Sequence, residues 1–337
     1  MRGEEPEYCR MLQPPLRGRI AARPDGCLRC SRSPSGVSTL APRTEGGTVS
    51  VKAQKYHDHS TAYRFQPREP DVDLESPVSD RFSLDGRVAI VTGASSGLGV
   101  AIALGMSQCG ARVALAARRA DRLRGTADLI SAHGGTALTV PTDVTQANEC
   151  GQLVESAMSR FGRVDILVNN AGAGGDFIPS IDDPPENFLN TVNVNLNGAY
   201  WMAQASARVM TPGSSIVNIS SVIAQTTFKM PAAGYAAAKS GLLGLTRDLA
   251  AQWGSRGIRV NAILPGVFPS EGTAHYSENY QRKVIETRIP IGRIGDPSDI
   301  AAAAVFLGSA ASSYITGVSL PVDGGVLLFL GPWPGEP

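Results

Sequence analysis

Neither sign of charge dominates this 337-residue sequence: 31 Lys and Arg stand against 30 Asp and Glu, a net charge of +1. A near-neutral chain lacks the basic stripe that tracks a phosphate backbone and the polybasic patch that sits on an anionic membrane. Nucleic acid and membrane surfaces are therefore not expected as partners. No apolar run reaches the ~18 residues that a membrane span needs. No apolar stretch follows the charged segment Met1–Arg10, so a secretory leader is not expected either. Histidine is scarce, with 4 in all and no pair at the three-to-five-residue spacing that would complete a zinc knuckle. Cys27-Leu-Arg-Cys30 has the spacing of half a zinc knuckle or of a redox pair, but no second such pair completes it. No metal site is expected. The cysteines at 9, 27, 30, 109 and 150 make no disulfide framework, which fits a reducing compartment and a cytoplasmic protein.

Apolar residues make up 42% of the chain, enough for a sizeable core. They are unevenly spread. Residues 1–80 are rich in Pro, Arg, Ser and Gly and hold no sustained period of two or 3.6, so an extension that is disordered or loosely attached is expected. Arg17, Arg19, Arg23, Arg29 and Arg32 suggest a transit peptide, while Glu4, Glu5, Glu7 and the prolines count against an amphipathic targeting helix. A third reading is that this stretch is not part of the functional protein. Peptides from residues 1–50 in the natural protein would refute it.

The pattern changes at residue 81. Arg87–Val91 is a short continuous apolar run, as a strand buried on both faces requires. Further strands are expected at 112–117, 136–140, 164–169, 215–219, 259–264 and 318–322. Helices are expected between them, including one long helix over 185–210 and one carrying Tyr235 to about residue 252. Strands alternating with helices predict an α/β fold over 81–337: a single doubly wound parallel sheet of about seven strands, a Rossmann fold, with helices on both faces.

Thr92-Gly-Ala-Ser-Ser-Gly-Leu-Gly99 sits between a buried strand and a helix. Its glycines allow a tight turn, and the helix start offers free N–H groups to a pyrophosphate. At the end of the second strand, where an acid would hold the ribose 2′-hydroxyl of NAD, stand Ala116-Ala-Arg-Arg119. Arg118 could pair with a 2′-phosphate, so NADP(H) is favoured over NAD(H). Asp143-Val144 follows the third strand and suits either an adenine contact or a helix cap. Asn169-Asn-Ala-Gly172 suits either a polar cofactor floor or a turn. Asn195 lies mid-helix, where Asn is mildly unfavourable, so it is either exposed or bonded inside. Ser220 and Ser221 end the fifth strand, and Pro265-Gly266 ends the sixth. Tyr235 and Lys239 lie one turn apart on one helical face. A phenol titrates near ~10, and a neighbouring cation favours its ionisation, which would make Tyr235 a general acid/base.

Taken together, TGASSGLG, NNAG, Asn195, Ser221, YAAAK and Pro-Gly resemble the short-chain dehydrogenase/reductase family, in its order and at near its spacings, over about residues 82–328. The resemblance implies an NAD(P)-dependent enzyme acting on CH–OH groups. Tyr235 would be the acid/base and Lys239 the residue that lowers its pKa and holds the nicotinamide ribose. Ser221 would polarise the substrate oxygen, with Ser220 as the alternative, and Asn195 would hold a water linking the lysine to solvent. Gly93, Ser95, Ser96, Gly97, Leu98 and Gly99 would cradle the cofactor, with Asp143 and Val144 at the adenine. Asn170, Ala171 and Gly172 would lie near the ribose, and Pro265, Gly266, Phe268 and Ser270 near the carboxamide. Ser96 stands where relatives that prefer NADP often carry a second basic residue.

The resemblance is nearest to 3-oxoacyl-carrier-protein reductases and to sugar-acid or small-alcohol dehydrogenases. A ketone substrate, a 3-oxoacyl thioester among the candidates, is favoured over sugar oxidation. Phe177, Phe228, Met230, Phe268 and Tyr276 are candidate substrate walls. The alternative of another class is an NADP-binding sensor or scaffold without turnover, which would not need the complete Asn195, Ser221, Tyr235 and Lys239 set. The family also implies a homo-oligomer, tetramer or dimer. The helices around Asn195 and Tyr235 and the apolar stretch 326–330 are the expected contact surfaces.

Overall fold

The computed structural model describes residues 77–228, 230–269, 282, 284, 285 and 287–328. Expectations for residues 1–76, Ser270, Tyr276, Phe329 and Leu330 lie outside the described residues. The described body begins at Pro77, with a short 3-10 turn over Val78–Phe82.

Seven parallel strands form one sheet in the order β3-β2-β1-β4-β5-β6-β7. They are β1 (Val88–Thr92), β2 (Arg112–Ala117), β3 (Ala137–Pro141), β4 (Ile166–Asn169), β5 (Ser215–Ile219), β6 (Arg259–Pro265) and β7 (Ser319–Val322). Every residue of β1, β4, β5 and β6 is buried. That is why these strands read in the sequence as continuous apolar runs rather than as alternation.

Alternate residues of each strand feed two cores, because successive side chains leave opposite faces of the sheet. Ala89, Val91, Val113, Leu115 and Val168 pack with α1 (Gly97–Gln108), α2 (Ala120–Ala132) and α7 (Pro297–Gly308). Val88, Ile90, Ala114, Ala116 and Leu167 pack with α3 (Ala147–Phe161), α5 (Gly198–Val209) and α6 (Ala233–Trp253). The strand order reverses between β1 and β4. The crevice at their carboxyl ends is where an open α/β sheet binds its ligand, and the glycine turn and the Asn169–Gly172 segment both open onto it.

The expected long helix over 185–210 is interrupted. It divides into α4 (Pro185–Val192), a π-helical turn over Asn193–Asn197, and α5. The extra residue in the turn carries the buried Asn195, whose Nδ2 donates to the Thr191 and Ala173 carbonyls at 2.8 and 2.7 Å. A π-turn leaves carbonyls without their regular helical partner, and such turns occur often at functional sites.

Candidate active site

Thr92, 1% exposed at the end of β1, ties the crevice together. Its Oγ1 donates to the Val168 carbonyl at 3.3 Å and accepts from the backbone N–H groups of Asn170 and Ala171 at 3.1 and 3.0 Å. Asn170 answers from β4's side: its Nδ2 donates to the Thr92 and Gly93 carbonyls at 3.0 and 3.2 Å. The asparagine expected near the ribose therefore fixes the shape of the glycine turn.

Gly97 sits at φ +53°, with nothing within 4 Å of where a β-carbon would stand. The turn is open on that side and admits only a glycine comfortably. Gly99 packs inward instead, where a β-carbon would collide with the Gly93 carbonyl oxygen and stand 2.7 Å from Asn170 Nδ2. Gly99→Ala is expected to cost about 1–3 kcal/mol by overpacking. A thermal melt checks this, and an unchanged midpoint would contradict the packing argument. Ser96 precedes α1 without capping it through its side chain. An open turn, an uncapped helix start and glycine-only backbone fit the pyrophosphate of a dinucleotide.

The chemistry-bearing side chains stand beside this cradle. Ser221, at the end of β5, hydrogen-bonds the Tyr235 phenol, and its Oγ accepts from the Ile223 N–H at 3.2 Å. Ser220 turns away and donates to the Lys239 carbonyl at 2.9 Å. Of the two serines, Ser221 is thus the one that faces Tyr235. Lys239 is 4% exposed. Its Nζ donates to the Ile219 carbonyl at 2.8 Å and lies 5.5 Å from the Tyr235 ring centroid. A β-carbon at Gly172 would lie 2.7 Å from Asn195 Oδ1 and 3.4 Å from Lys239 Nζ. The glycine that ends the NNAG segment thus lets Asn195 and Lys239 converge. Asn195 Oδ1 is buried and has no hydrogen-bond partner among the described residues, an orphaned acceptor facing that space.

The expected electrostatics of the pair need correction. Lys239 was expected to hold the phenol nearer ionisation, yet burial raises the Tyr235 pKa above its ordinary value, with the Ser221 hydrogen bond opposing that rise. The ammonium stands 5.5 Å from the ring centroid and donates to the Ile219 carbonyl. Burial also lowers Lys239 to about 8.

Other expected contacts have different surroundings. Asp143 is not a helix cap: α3 starts from Gln146, and Asp143 Oδ1 accepts from the Thr145 N–H and hydroxyl at 3.0 and 2.9 Å. The Val144 side chain is buried against Gly198, where a β-carbon would meet it at 2.7 Å. The Phe268 ring fills the space that Gly295 leaves and would collide with a β-carbon there, so it is core rather than a substrate wall. Phe228 likewise packs against the cluster of Val222, Ile289 and Val326. Gly266 abuts Asp323. Phe177 is 45% exposed at φ +53°, with its ring against Gly174.

Two features escaped the sequence reading. One is Arg119, whose Nη2 donates to Ser96 Oγ at 3.0 Å and to Ser95 Oγ at 3.3 Å. The other is a buried polar relay beneath the site: Asn169 Nδ2 donates to Asn218 Oδ1 at 2.9 Å, and Asn218 Nδ2 to Thr246 Oγ1 at 2.9 Å. A polar residue inside the apolar run Ser215–Ile219 was the signal for the second.

Comparisons with known proteins agree with this geometry. A family profile described as enoyl-(acyl carrier protein) reductase matches residues 93–327. The chain is 40% identical to an L-rhamnose 1-dehydrogenase (NAD(P)(+)) of Azotobacter vinelandii, over 72% of this chain and 98% of that one. It is 38% identical to a 3-oxoacyl-[acyl-carrier-protein] reductase of Pseudomonas aeruginosa, over 73% of this chain and 99% of the other. A solved 7α-hydroxysteroid dehydrogenase, in complex with NADH and 7-oxo glycochenodeoxycholic acid, superposes with a TM-score of 0.70 at 36% identity, covering 74% of this chain and 97% of that one. The glycine turn on β1, the Ser221–Tyr235–Lys239 cluster and these extents of identity together make the chain a member of the short-chain dehydrogenase/reductase family, oxidoreductases that act with a nicotinamide dinucleotide on CH–OH groups.

Proposed function

We propose that the protein interconverts a ketone and a secondary alcohol with NADP(H), and that ketone reduction is its favoured direction near neutral pH. The observation that carries this reading is the hydrogen-bonded Ser221–Tyr235 pair beside the buried Lys239. Burial raises the Tyr235 pKa, so the phenol keeps its proton at neutral pH and stands ready to donate it. Ser221 holds the substrate oxygen through its hydroxyl while Tyr235 gives that oxygen its proton. Lys239 and Asn195 frame the floor on which the ribose would rest, next to Gly172. A bound nicotinamide supplies the hydride and, when oxidised, a positive charge that favours phenolate. In the oxidising direction Tyr235 must first lose its proton, so alcohol oxidation is expected to rise toward alkaline pH.

The choice of NADP(H) is supported by the lack of a carboxylate at the end of β2, where Arg118 and Arg119 stand instead. A second reading, oxidation of a sugar or sugar acid, is favoured by the 40% identity to the rhamnose dehydrogenase. A panel of 3-oxoacyl thioesters, simple ketones, aldoses and sugar acids, run with NADPH or NADP+ and with NADH or NAD+, separates the two. Turnover of 3-oxoacyl thioesters or ketones alone supports the first. Turnover confined to aldoses replaces it with the second, and no turnover at all would favour a binding protein. The reading extends to a homo-oligomer: Leu328 is 87% exposed, and such an apolar side chain gains from burial against a neighbour.

A further inference from the structure

We infer that Thr246, tied through Asn218 to the middle of the sheet, is a positioning residue that holds Lys239 at the floor on which the nicotinamide ribose would rest. The inference rests on the ribose floor proposed above and names the tie that keeps it in place.

Four consecutive residues, at and just beyond the end of β5, each grip α6. Asn218 Nδ2 donates to Thr246 Oγ1 at 2.9 Å. The Ile219 carbonyl accepts from Lys239 Nζ at 2.8 Å, the Ser220 hydroxyl donates to the Lys239 carbonyl at 2.9 Å, and Ser221 hydrogen-bonds Tyr235. The last three of these ties hold the catalytic residues themselves. The first lies two helical turns along α6 from Lys239, on the same face. Asn218 and Thr246 are both 0% exposed. The polarity of their bond is fixed from both sides. Asn218 Oδ1 accepts from Asn169 Nδ2 at 2.9 Å, which leaves its Nδ2 for Thr246, and the Thr246 hydroxyl gives its own proton to the Leu242 carbonyl at 2.8 Å. Asn169 stands opposite Asn218 in the register of β4 and β5, and its Nδ2 also reaches the Ala199 carbonyl at 3.1 Å, two residues past the π-turn. One buried chain of side chains therefore joins the elements that carry the site: β4, which leads to Gly172; β5, which leads to Ser221; α5, which continues from Asn195; and α6, with Tyr235 and Lys239.

A buried amide or hydroxyl gives up its water, so apolar side chains would fill this space at lower cost. What they would not supply is direction. Apolar packing is non-directional, and the buried Leu242 and Leu249 resist a small slide of α6 less sharply than a hydrogen bond does, since a hydrogen bond weakens steeply with angle. The Asn218–Thr246 tie thus sets where α6 stands along β5, and with it where the Lys239 ammonium stands. The room there is narrow, because a β-carbon on Gly172 would already lie 3.4 Å from Lys239 Nζ. A displacement of about 1 Å is enough to cost a reactive geometry roughly 100-fold.

The test is binding to the full chain, read by calorimetry, so that it does not depend on turnover. The ligands are NADPH or NADH, whichever the wild type binds more tightly, and the matching adenosine half, 2′,5′-ADP or 5′-AMP. The adenosine half carries no nicotinamide ribose and so reports on the glycine turn without Lys239. Thr246→Val removes the hydroxyl and keeps the branched shape. It is expected to lose about 10-fold in dinucleotide affinity, the worth of about one hydrogen bond, with the adenosine half within about twofold of wild type. Thr246→Ser restores the hydroxyl and is expected within about threefold of wild type for both ligands. Should the valine variant not fold, Thr246→Ala removes the same hydroxyl and carries the same expectation. Lys239→Met separates the inference from the reading beneath it. If Lys239→Met loses dinucleotide affinity and the Thr246 variants without a hydroxyl do not, the inference is wrong and the ribose floor stands. If Lys239→Met also binds as wild type does, both fail. Equal losses for the dinucleotide and its adenosine half would make Thr246 a tie of the fold alone and overturn the inference, as would a serine variant as weak as the valine one.

Discussion

Tyr235→Phe is expected to lower turnover by about 10²–10⁴-fold, the range set by loss of a positioned general acid/base. The phenyl ring keeps the packing of α6, and only the hydroxyl is removed. Ser221 loses one partner but still accepts from the Ile223 N–H, so the stability change should stay near about 1 kcal/mol. Nucleotide affinity, read by calorimetry, should move by less than about threefold, because the turn and its ties to Asn170 and Thr92 are untouched. The combination separates chemistry from folding. A purified variant that turns over at the wild-type rate removes Tyr235 from the mechanism, whatever its stability.

Lys239→Met is expected to do two opposite things. Turnover should fall by at least about 10²-fold, since the floor beside Gly172 loses its cation. Stability should rise near neutral pH. Lys239 is lowered from 10.5 to about 8 by burial. Below about 8 both the folded and the unfolded chain hold the proton, and the folded state bears the full cost of a buried ammonium, about 3 kcal/mol at 1.36 kcal/mol per pH unit. Between about 8 and 10.5 the unfolded chain still binds the proton that the folded chain has released. Wild-type stability therefore climbs with pH across that window. Methionine has no proton to exchange, so its contribution is flat. It also forfeits the bond to the Ile219 carbonyl, about 1 kcal/mol, which leaves a net gain of about 1–2 kcal/mol at pH 7. Urea midpoints at pH 7 and 9.5 check both signs. Parallel pH dependence in the two proteins would show that the folded lysine keeps its ordinary pKa.

How much of this was legible in the sequence depends on what each feature needs. The strands were legible because a sheet covered on both faces demands unbroken apolar runs, and Val88–Thr92 is buried throughout. The spacing of Tyr235 and Lys239, one helical turn, needed only helix geometry. The π-turn at Asn193–Asn197 was not legible, since the apolar period continues on either side and only the partners of Asn195 reveal the slip. The choice between Ser220 and Ser221 depended on which hydroxyl the Lys239 carbonyl captures. The bonds from Arg119 to Ser95 and Ser96 were not legible, because side-chain reach across a gap between strands leaves no trace in spacing. The ionisation of Tyr235 was only partly legible: proximity of a cation is visible along a helix, but the burial that raises the phenol's pKa comes from contacts that spacing along one helix does not reveal.

The Thr92–Asn170 staple has a kinetic side. Its partners stand 78 residues apart in the chain, and they belong to strands that pair only after β2, β3 and three helices have been laid down between them. Such distant parallel pairings form slowly, since the entropy of closing the intervening loop precedes any reward from contact. A chain emerging from the ribosome therefore carries its glycine turn long before that turn has a fixed shape. The cofactor cradle is completed only when β4 docks. A nucleotide that binds the completed cradle and not the open chain would draw molecules out of the partly folded population by mass action, so cofactor supply in the cell bears on the yield of folded protein.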